Sequence, residues 1–374
     1  MRFIHTADWH LGKYLKSRSL IEDQRYILDQ FLEIVDTQNV DAILIAGDIY
    51  DRNIPPEDAV NLFDHVLNEL IIKHDLHVLC IAGNHDSEGR LNFGSKLFDN
   101  TNFHIRAKLT EVADPVVLKD SFGEVYFSLI PYFDPPKVKT AFDIDTDEDF
   151  TYNDAAAVLV KAARSTIPTN ARSIAVSHAF IAGGVESGSE KKLPGGAGQV
   201  SPHHFKDFNY TALGHLHGST LNDRNIRYSG SLLKYSFDEW KQSKSITLVD
   251  IDGEGNIITQ ILPLNPLHDV RVIKGKAVDI LNNEADSDDY ISVQYEGVMI
   301  NSHNALLRKK FPNLLEIKPI DKVLAGSSNG AKSIENVSHI DLFKKFFKDT
   351  TGESLSDEEL SVMTDLIEDI ERGL

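Results

Sequence analysis

The chain has 374 residues, 41% apolar and 25% charged, long enough for about two or three domains, and this composition excludes disordered, collagen-like and disulfide-framework classes. Acidic residues outnumber basic ones 57 to 38, a formal charge of −19, so any hold on nucleic acid must come from local basic patches, bound cations or a basic partner. The single cysteine, Cys80, cannot form an internal disulfide, and no apolar run reaches the ~20 residues that span a bilayer, so a cytoplasmic protein without a membrane segment is expected.

In chain order, Arg2–Ala7 reads as a short strand and Leu20–Val35 as a helix whose stripe includes Ile27, Leu28, Phe31 and Val35. Ala42–Ala46 is a buried-type strand running into Gly47-Asp48, and Pro55-Pro56-Glu57-Asp58 opens a helix through about Ile72. His77–Ala82 is a third strand ending in a glycine turn, and the strand–helix–strand rhythm predicts a largely parallel α/β core. From about Val125 to Leu262 the pattern turns β-rich, with strands expected at Tyr126–Ile130, Ser173–Ser177, Tyr210–Leu213, Ile226–Tyr228 and Ser245–Ile251. An acidic loop at Asp143–Asp149 and a Gly/Ser/Lys-rich loop at Glu186–Gly198 interrupt it.

Pro263-Leu264-Asn265-Pro266 marks a boundary, beyond which Val270–Lys274, Ala277–Asn283, Tyr290–Tyr295, Ser302–Lys310 and Leu314–Ile317 spell a β-α-β-α-β unit. Ala325–Gly330 has linker composition. Two short amphipathic helices follow it, the first lined by Ile340, Phe343, Phe346 and Phe347, the second opened by a Ser356-x-x-Glu359 capping box with Leu360, Met363, Ile367 and Ile370 as its stripe. So small a pair either docks back on the body or serves as an apolar plug for another protein.

Five clusters each follow a strand-like segment: Asp8-Trp9-His10, Gly47-Asp48, Gly83-Asn84-His85-Asp86, Val176-Ser177-His178 and Gly214-His215-Leu216-His217. Carboxylate and amide oxygens and imidazole nitrogens, aimed from strand ends at one point, are what a hard-to-borderline divalent cation takes from a rigid scaffold. Alternation along a strand sends both members of a D-x-H or H-x-H pair to one side. Singly, D-x-H or G-D is a common surface pattern; all five in this order carry the argument. The set holds no thiolate, which fits Mn²⁺, Fe²⁺ or Zn²⁺ and argues against a cysteine-rich structural zinc site.

The series D-x-H, G-D, G-N-H-D, H and G-H-x-H resembles the calcineurin-like metallophosphoesterases. Within them, His5–Lys13, Gly47–Arg52, Ser177–Gly184, Ala212–His217 and Arg227–Phe237 are similar to the SbcD family of nuclease subunits. The resemblance implies an α/β fold, the four-layer α/β/β/α metallophosphoesterase sandwich, over residues 1–262. It further implies a small α+β cap domain at 266–322 that guides DNA, a flexible linker at 323–335 and a C-terminal helical pair at 336–374. The activity it implies is 3′–5′ double-strand exonuclease and single-strand or hairpin endonuclease cleavage in DNA repair, with two Mn²⁺ ions. Asp8, His10 and His217 would hold one ion, Asn84, His178 and His215 the second, and Asp48 would bridge them. His85 matches the catalytic histidine that protonates or stabilises the leaving oxygen, and Asp86 would orient a neighbouring imidazole. Implied partners are DNA, the SMC-like ATPase SbcC bound through 336–374, and a second copy joined around 57–72 and 90–98 within a heterotetramer. Family members often carry a basic residue after G-H-x-H; here Gly218-Ser219-Thr220 follow.

Lys13, Lys16, Arg18 and Arg25 form the basic run nearest these motifs, with Arg52, Arg90 and Lys96 on the next two site loops or helices, and Lys13, Lys16, Arg18, Arg52 and Arg90 are candidate DNA contacts. Trp9 and Tyr14 could stack on a base, though packing is the commoner use of such aromatics. His5 reads as core or as support for the site, and His65, His74, His77, His104, His203 and His204 as structural. A phosphoesterase acting on phosphoproteins or small nucleotides would use the same ligands; the extra domain and the linked helices favour the nuclease.

Overall fold

Two six-stranded sheets lie face to face in the computed structural model, which describes residues 1–146, 149–184, 187–190, 198–223, 225–297, 301–320, 343, 344, 347, 355, 356, 359, 360, 362 and 363. Met1–Ile320 forms one unit and Asp321–Leu374 another. The first elements are β1 (Arg2–Thr6), α1 (Ile21–Gln38), β2 (Ala42–Ile45), α2 (Glu57–Leu67), β3 (His77–Ile81) and β4 (Phe103–Arg106). They are followed by β5 (Val116–Asp120), β6 (Gly123–Ile130), α3 (Tyr152–Arg164), β7 (Arg172–His178), β8 (Tyr210–Gly214), β9 (Thr220–Asp223), β10 (Ile226–Tyr228), β11 (Ser245–Ile251) and β12 (Ile257–Pro263).

The first sheet runs β12-β11-β1-β2-β3-β4, parallel from β1 to β4 and antiparallel at β11 and β12. The second runs β9-β10-β8-β7-β6-β5, parallel from β6 to β10 and antiparallel at both edges. Phe3, Leu44, Leu79 and Ile81 of the first sheet meet Phe127, Leu129, Val176 and Tyr210 of the second in a buried layer, where Phe3 packs edge-on against Phe127 with ring centroids 5.9 Å apart. Helices α1 and α2 cover the outer face of the first sheet through Ile27, Phe31, Leu62 and Val66. On the second sheet, α3 does the same with Ala155, Ala156, Leu159 and Ala163. This is the four-layer α/β/β/α sandwich.

Five of these elements escape a reading of hydropathy alone, for physical reasons. Strand β12 is an edge strand with Ile258 and Ile261 exposed, so it lacks a clean apolar alternation. Strands β4, β5 and β9 are four or five residues long and lie at sheet edges. Helix α3 buries mostly alanine, a weak hydropathy signal, although the Thr151–Asp154 capping box that opens it is complete.

After β12, β13 (Val270–Lys276), α4 (Ala277–Asn283), β14 (Tyr290–Glu296), α5 (Asn301–Lys310) and β15 (Leu314–Pro319) follow the expected β-α-β-α-β order. The three strands form a parallel sheet over a small core of Ile273, Ile280, Ile291, Val293, Leu307 and Phe311. It joins the sandwich core through Val270, Val272 and Tyr290, and Asp23 of α1, a buried carboxylate, accepts from the Tyr290 hydroxyl (2.7 Å) and faces His268 Nδ1 (2.8 Å). In the second unit, Ser356 and Glu359 form the capping box (2.8 and 2.9 Å), and Phe343, Phe347, Leu355, Val362 and Met363 line an apolar cavity of about 390 Å³. The linker at 323–335 and the stripe residues Ile340, Phe346, Ile367 and Ile370 lie outside the described residues. No helix among the described residues is long and apolar enough to cross a membrane.

At the far end of the second sheet, Arg172 grips both carboxylate oxygens of Asp120 (2.6 and 2.8 Å), and the Met1 amine adds a third contact (2.9 Å). The Arg172 bonds, then the amine, hold the Asp120 carboxyl well below its ordinary range. A carboxyl depressed on folding contributes stability above its unfolded pKa that is lost as pH falls toward the folded value. Asp120→Asn should therefore melt below the wild type at pH 7, and the gap should narrow as pH falls below about 4, measured by thermal unfolding across pH.

Candidate metal centre

The parallel strands β1, β2 and β3 of one sheet and β7 and β8 of the other end at the same edge of the sandwich. At or just past those ends lie Asp8, His10, Asp48, Asn84, His178, His215 and His217. The loops are zipped together by backbone bonds, Asp8 N to Gly47 O (3.0 Å), His10 N to Asp48 O (2.9 Å) and Leu11 N to Ile49 O (2.9 Å). Asp8, His10, Asp48 and His215 take left-handed φ angles of 53°, 44°, 51° and 105°. Such conformations are unfavourable for side-chain-bearing residues and cluster at functional sites. Two glycines let the backbones close: a Cβ on Gly83 would lie 2.2 Å from Asp48 N, and one on Gly214 2.0 Å from Ala46 O.

The donor atoms face one another. His10 Nε2 stands 3.0 Å from His217 Nε2. Asn84 Oδ1 is 3.1 Å from His178 Nε2 and 3.0 Å from His215 Nδ1. Asp48 Oδ2 lies 3.5 Å from both His10 Nε2 and His178 Nε2, between the two groups. Among the described residues Asp8 falls within two of the three candidate clusters, one with His10 and His217, another with Asp48 and His178; the third groups His10 with Asp51 and His85. Ligands about 2.0–2.2 Å from a shared cation stand roughly 3.0–3.5 Å apart, so these separations fit divalent ions among these atoms. His10 Nδ1, buried, has no hydrogen-bond partner among the described residues.

Electrostatics point the same way. Burial pushes the Asp8 carboxyl up to about 7 despite the pull of His178 and His217. Burial also opposes ionisation of Asp48, but His178 and then His10 and His85 hold it well below the usual carboxylate range. Burial drives His215 down to about 3, whereas His178, buried too, is raised to about 9 by Asp48. Two buried carboxylates among crowded imidazoles form a set that a divalent charge would settle.

His85 donates its backbone N–H to Asp48 Oδ1 (2.8 Å), and its Nδ1 faces Asp51 O (2.8 Å). Its ring meets His10 edge-on, with centroids 4.7 Å apart. Asp86 differs from expectation: its carboxylate accepts from the backbone amides of Ile49, Tyr50 and Gly83 (3.1, 3.0 and 2.9 Å), so it shapes the Asp48 loop and does not orient an imidazole. Trp9 is fully buried and packs edge-on against Phe31 and Phe63, which removes it as a base-stacking surface. Lys13 is engaged by Asp51 (2.6 Å); Lys16 is exposed beside Glu316 (3.0 Å), and Arg18, Arg52 and Arg90 are exposed. His5 is a buried strut between Tyr210 OH (3.0 Å) and Leu213 O (3.1 Å).

Three supporting residues have no motif to reveal them. Gln24 of α1 donates to His10 O (2.8 Å) and accepts from Gly12 N (2.9 Å), fixing the first loop. Glu239 and Lys244 stand behind His217, with Lys244 Nζ 2.6 Å from Glu239 Oε2. A cavity of about 360 Å³ opens beside Asn84, His178 and His215, walled by Tyr132, Phe133 and Tyr152.

The calcineurin-like phosphoesterase family model matches residues 1–219. The chain is also 35% identical over 370 residues, 95% of each chain, to the SbcD subunit of the nuclease SbcCD from Staphylococcus epidermidis. Similar solved structures include a protein of Thermus thermophilus (12% identity, 70% of this chain and 98% of that one, TM-score 0.40) and a dimetal phosphatase from Danio rerio (13%, 70% and 96%, TM-score 0.41). The chain belongs to the calcineurin-like phosphoesterases and, among them, to the SbcD family.

Replacing Gly83 with Ala would drive a methyl group into the Asp48 backbone and carboxylate. Gly83→Ala should weaken binding of a divalent cation by about 10–100-fold in titration calorimetry while the far end of the sandwich keeps its hydrogen-exchange protection.

Proposed function

We propose that this chain is the nuclease subunit of an SbcCD-type DNA repair complex, cleaving duplex ends 3′–5′ and cutting single strands and hairpins. The observation that carries the reading is the convergence of seven donor side chains from both sheets on one edge, with His85 beside them. Asp8, His10 and His217 hold one cation and Asn84, His178 and His215 the other, with Asp48 between them; manganese is the ion assigned. Bound there, the ions supply Lewis acidity for attack of water on a phosphodiester.

The chain's own groups do the rest. Asp51 O fixes the His85 ring through Nδ1 (2.8 Å), leaving Nε2 to hand a proton to the departing oxygen when the imidazole is charged. Arg52, exposed on the loop after Asp48, and Arg90, exposed on the short helix Glu88–Leu91, supply local positive charge for the DNA backbone, which the acidic bulk cannot. The three-stranded unit after β12 acts as the DNA-guiding cap. A second copy packs through the apolar surface left by Val60, Ile72, Phe93 and Leu97, each 41–83% exposed. The segment 336–374 binds the SMC-like ATPase SbcC in the cytoplasm, and ATP chemistry belongs to that partner, since this sequence carries no G-x-x-x-x-G-K-[ST] loop.

The test is cleavage of labelled duplex and hairpin DNA with manganese beside a small phosphodiester. DNA cleavage supports the nuclease, and turnover of the small diester alone overturns it. His85→Ala should keep its manganese yet lose about 10²–10⁴-fold in cleavage; full activity would remove His85 from the reaction. A chain lacking 336–374 should retain manganese-dependent cleavage but not co-elute with the ATPase subunit on gel filtration.

A further inference from the structure

His217 is gripped at every polar atom but one. Its backbone N–H donates to Glu190 Oε1 (2.7 Å). Its carbonyl accepts from Lys244 Nζ (2.9 Å) and Ser231 N (3.2 Å). Its ring Nδ1 faces Glu239 Oε1 (3.2 Å) and the Ser189 hydroxyl (2.7 Å), which itself bonds to that same carboxylate oxygen. Nε2 is left, pointing at His10 Nε2 (3.0 Å).

Glu239 is fully buried and Lys244 nearly so. Their contact is 2.6 Å, and Lys244 also donates to Ser231 Oγ (2.8 Å). Taking two charges out of water is expensive, and a fold that needed only packing would do as well with apolar groups. The pair sits where it serves a ligand. A carboxylate behind an imidazole fixes the proton on the near nitrogen and strengthens the far nitrogen as a donor. The other ring in a comparable position, His178, has only a neutral carbonyl at Nδ1, Ala46 O at 2.8 Å.

We infer that Glu239, held in place by Lys244, is a positioning residue that keeps the proton on His217 Nδ1 and aims Nε2 at the cation shared with Asp8 and His10. The two cation sites are therefore unequal, and the Asp8–His10–His217 site binds the more tightly for having a charged carboxylate behind one ligand. This inference rests on the two-cation reading above.

Manganese titration calorimetry on the full chain tests it. Glu239→Gln combined with Lys244→Met removes both buried charges together, so neither is stranded. The double variant should lose about 10–100-fold in affinity at one of the two sites, keep the other within twofold, and melt within a few degrees of the wild type. Wild-type affinity at both sites in a folded double variant overturns the inference alone; a wild-type chain that binds no manganese overturns the two-cation reading with it. Should the variant not fold, nitrogen chemical shifts of labelled histidine in the wild type decide, with Zn²⁺ as the diamagnetic ion. A proton on His217 Nδ1 is expected, and a proton on Nε2 overturns the inference.

Discussion

The site exists because two sheets touch backbone to backbone at one edge. Gly214, at the end of β8, lies so close to Ala46 O of the first sheet that a side chain there would overlap it. His178 Nδ1 reaches that same carbonyl at 2.8 Å. Elsewhere the sheets are held apart by side chains such as Phe3, Phe127 and Tyr210, as packed sheets ordinarily are. Where glycine replaces bulk the layers close, and groups distant in sequence reach within 3.0–3.5 Å of one another.

That closure has a cost, written into the backbone and the charges. Four donor residues adopt left-handed φ angles, and Asp8, Asp48 and Asp86 are buried carboxylates on adjoining loops. Such strain persists only where surrounding structure fixes it. Here Asp86 ties down the Asp48 loop through three amides, Gln24 ties down the Asp8–His10 loop, and Glu239 with Lys244 backs His217. None of these supports is a donor in the clusters, yet each sets where a donor points.

The donor motifs were legible because the chemistry needs particular residue types just past strand ends, and apolar runs followed by Gly-Asp or Gly-Asn-His-Asp announce such places. The layered architecture was legible for the strands buried on both faces, β1, β2 and β3, and less so for β12, which shows most of its side chains to water. What escaped was set by tertiary contact. Glu239 and Lys244 lie between the recognisable segments Arg227–Phe237 and Ser245–Ile251, and only the fold brings them 2.6 Å apart behind a histidine. Asp86, which the resemblance casts as a partner for an imidazole, accepts instead from the backbone amides of Ile49, Tyr50 and Gly83. Lys13 looked like a free cation because Asp51 is 38 residues away along the chain.

Neither sheet carries a complete donor set. Asp8, His10, Asp48 and Asn84 belong to the first, and His178, His215 and His217 to the second, so any ion seated there acts as a clasp across the layers. Occupancy and cohesion would then be one linked equilibrium, and the melting temperature of the sandwich would rise with free cation concentration.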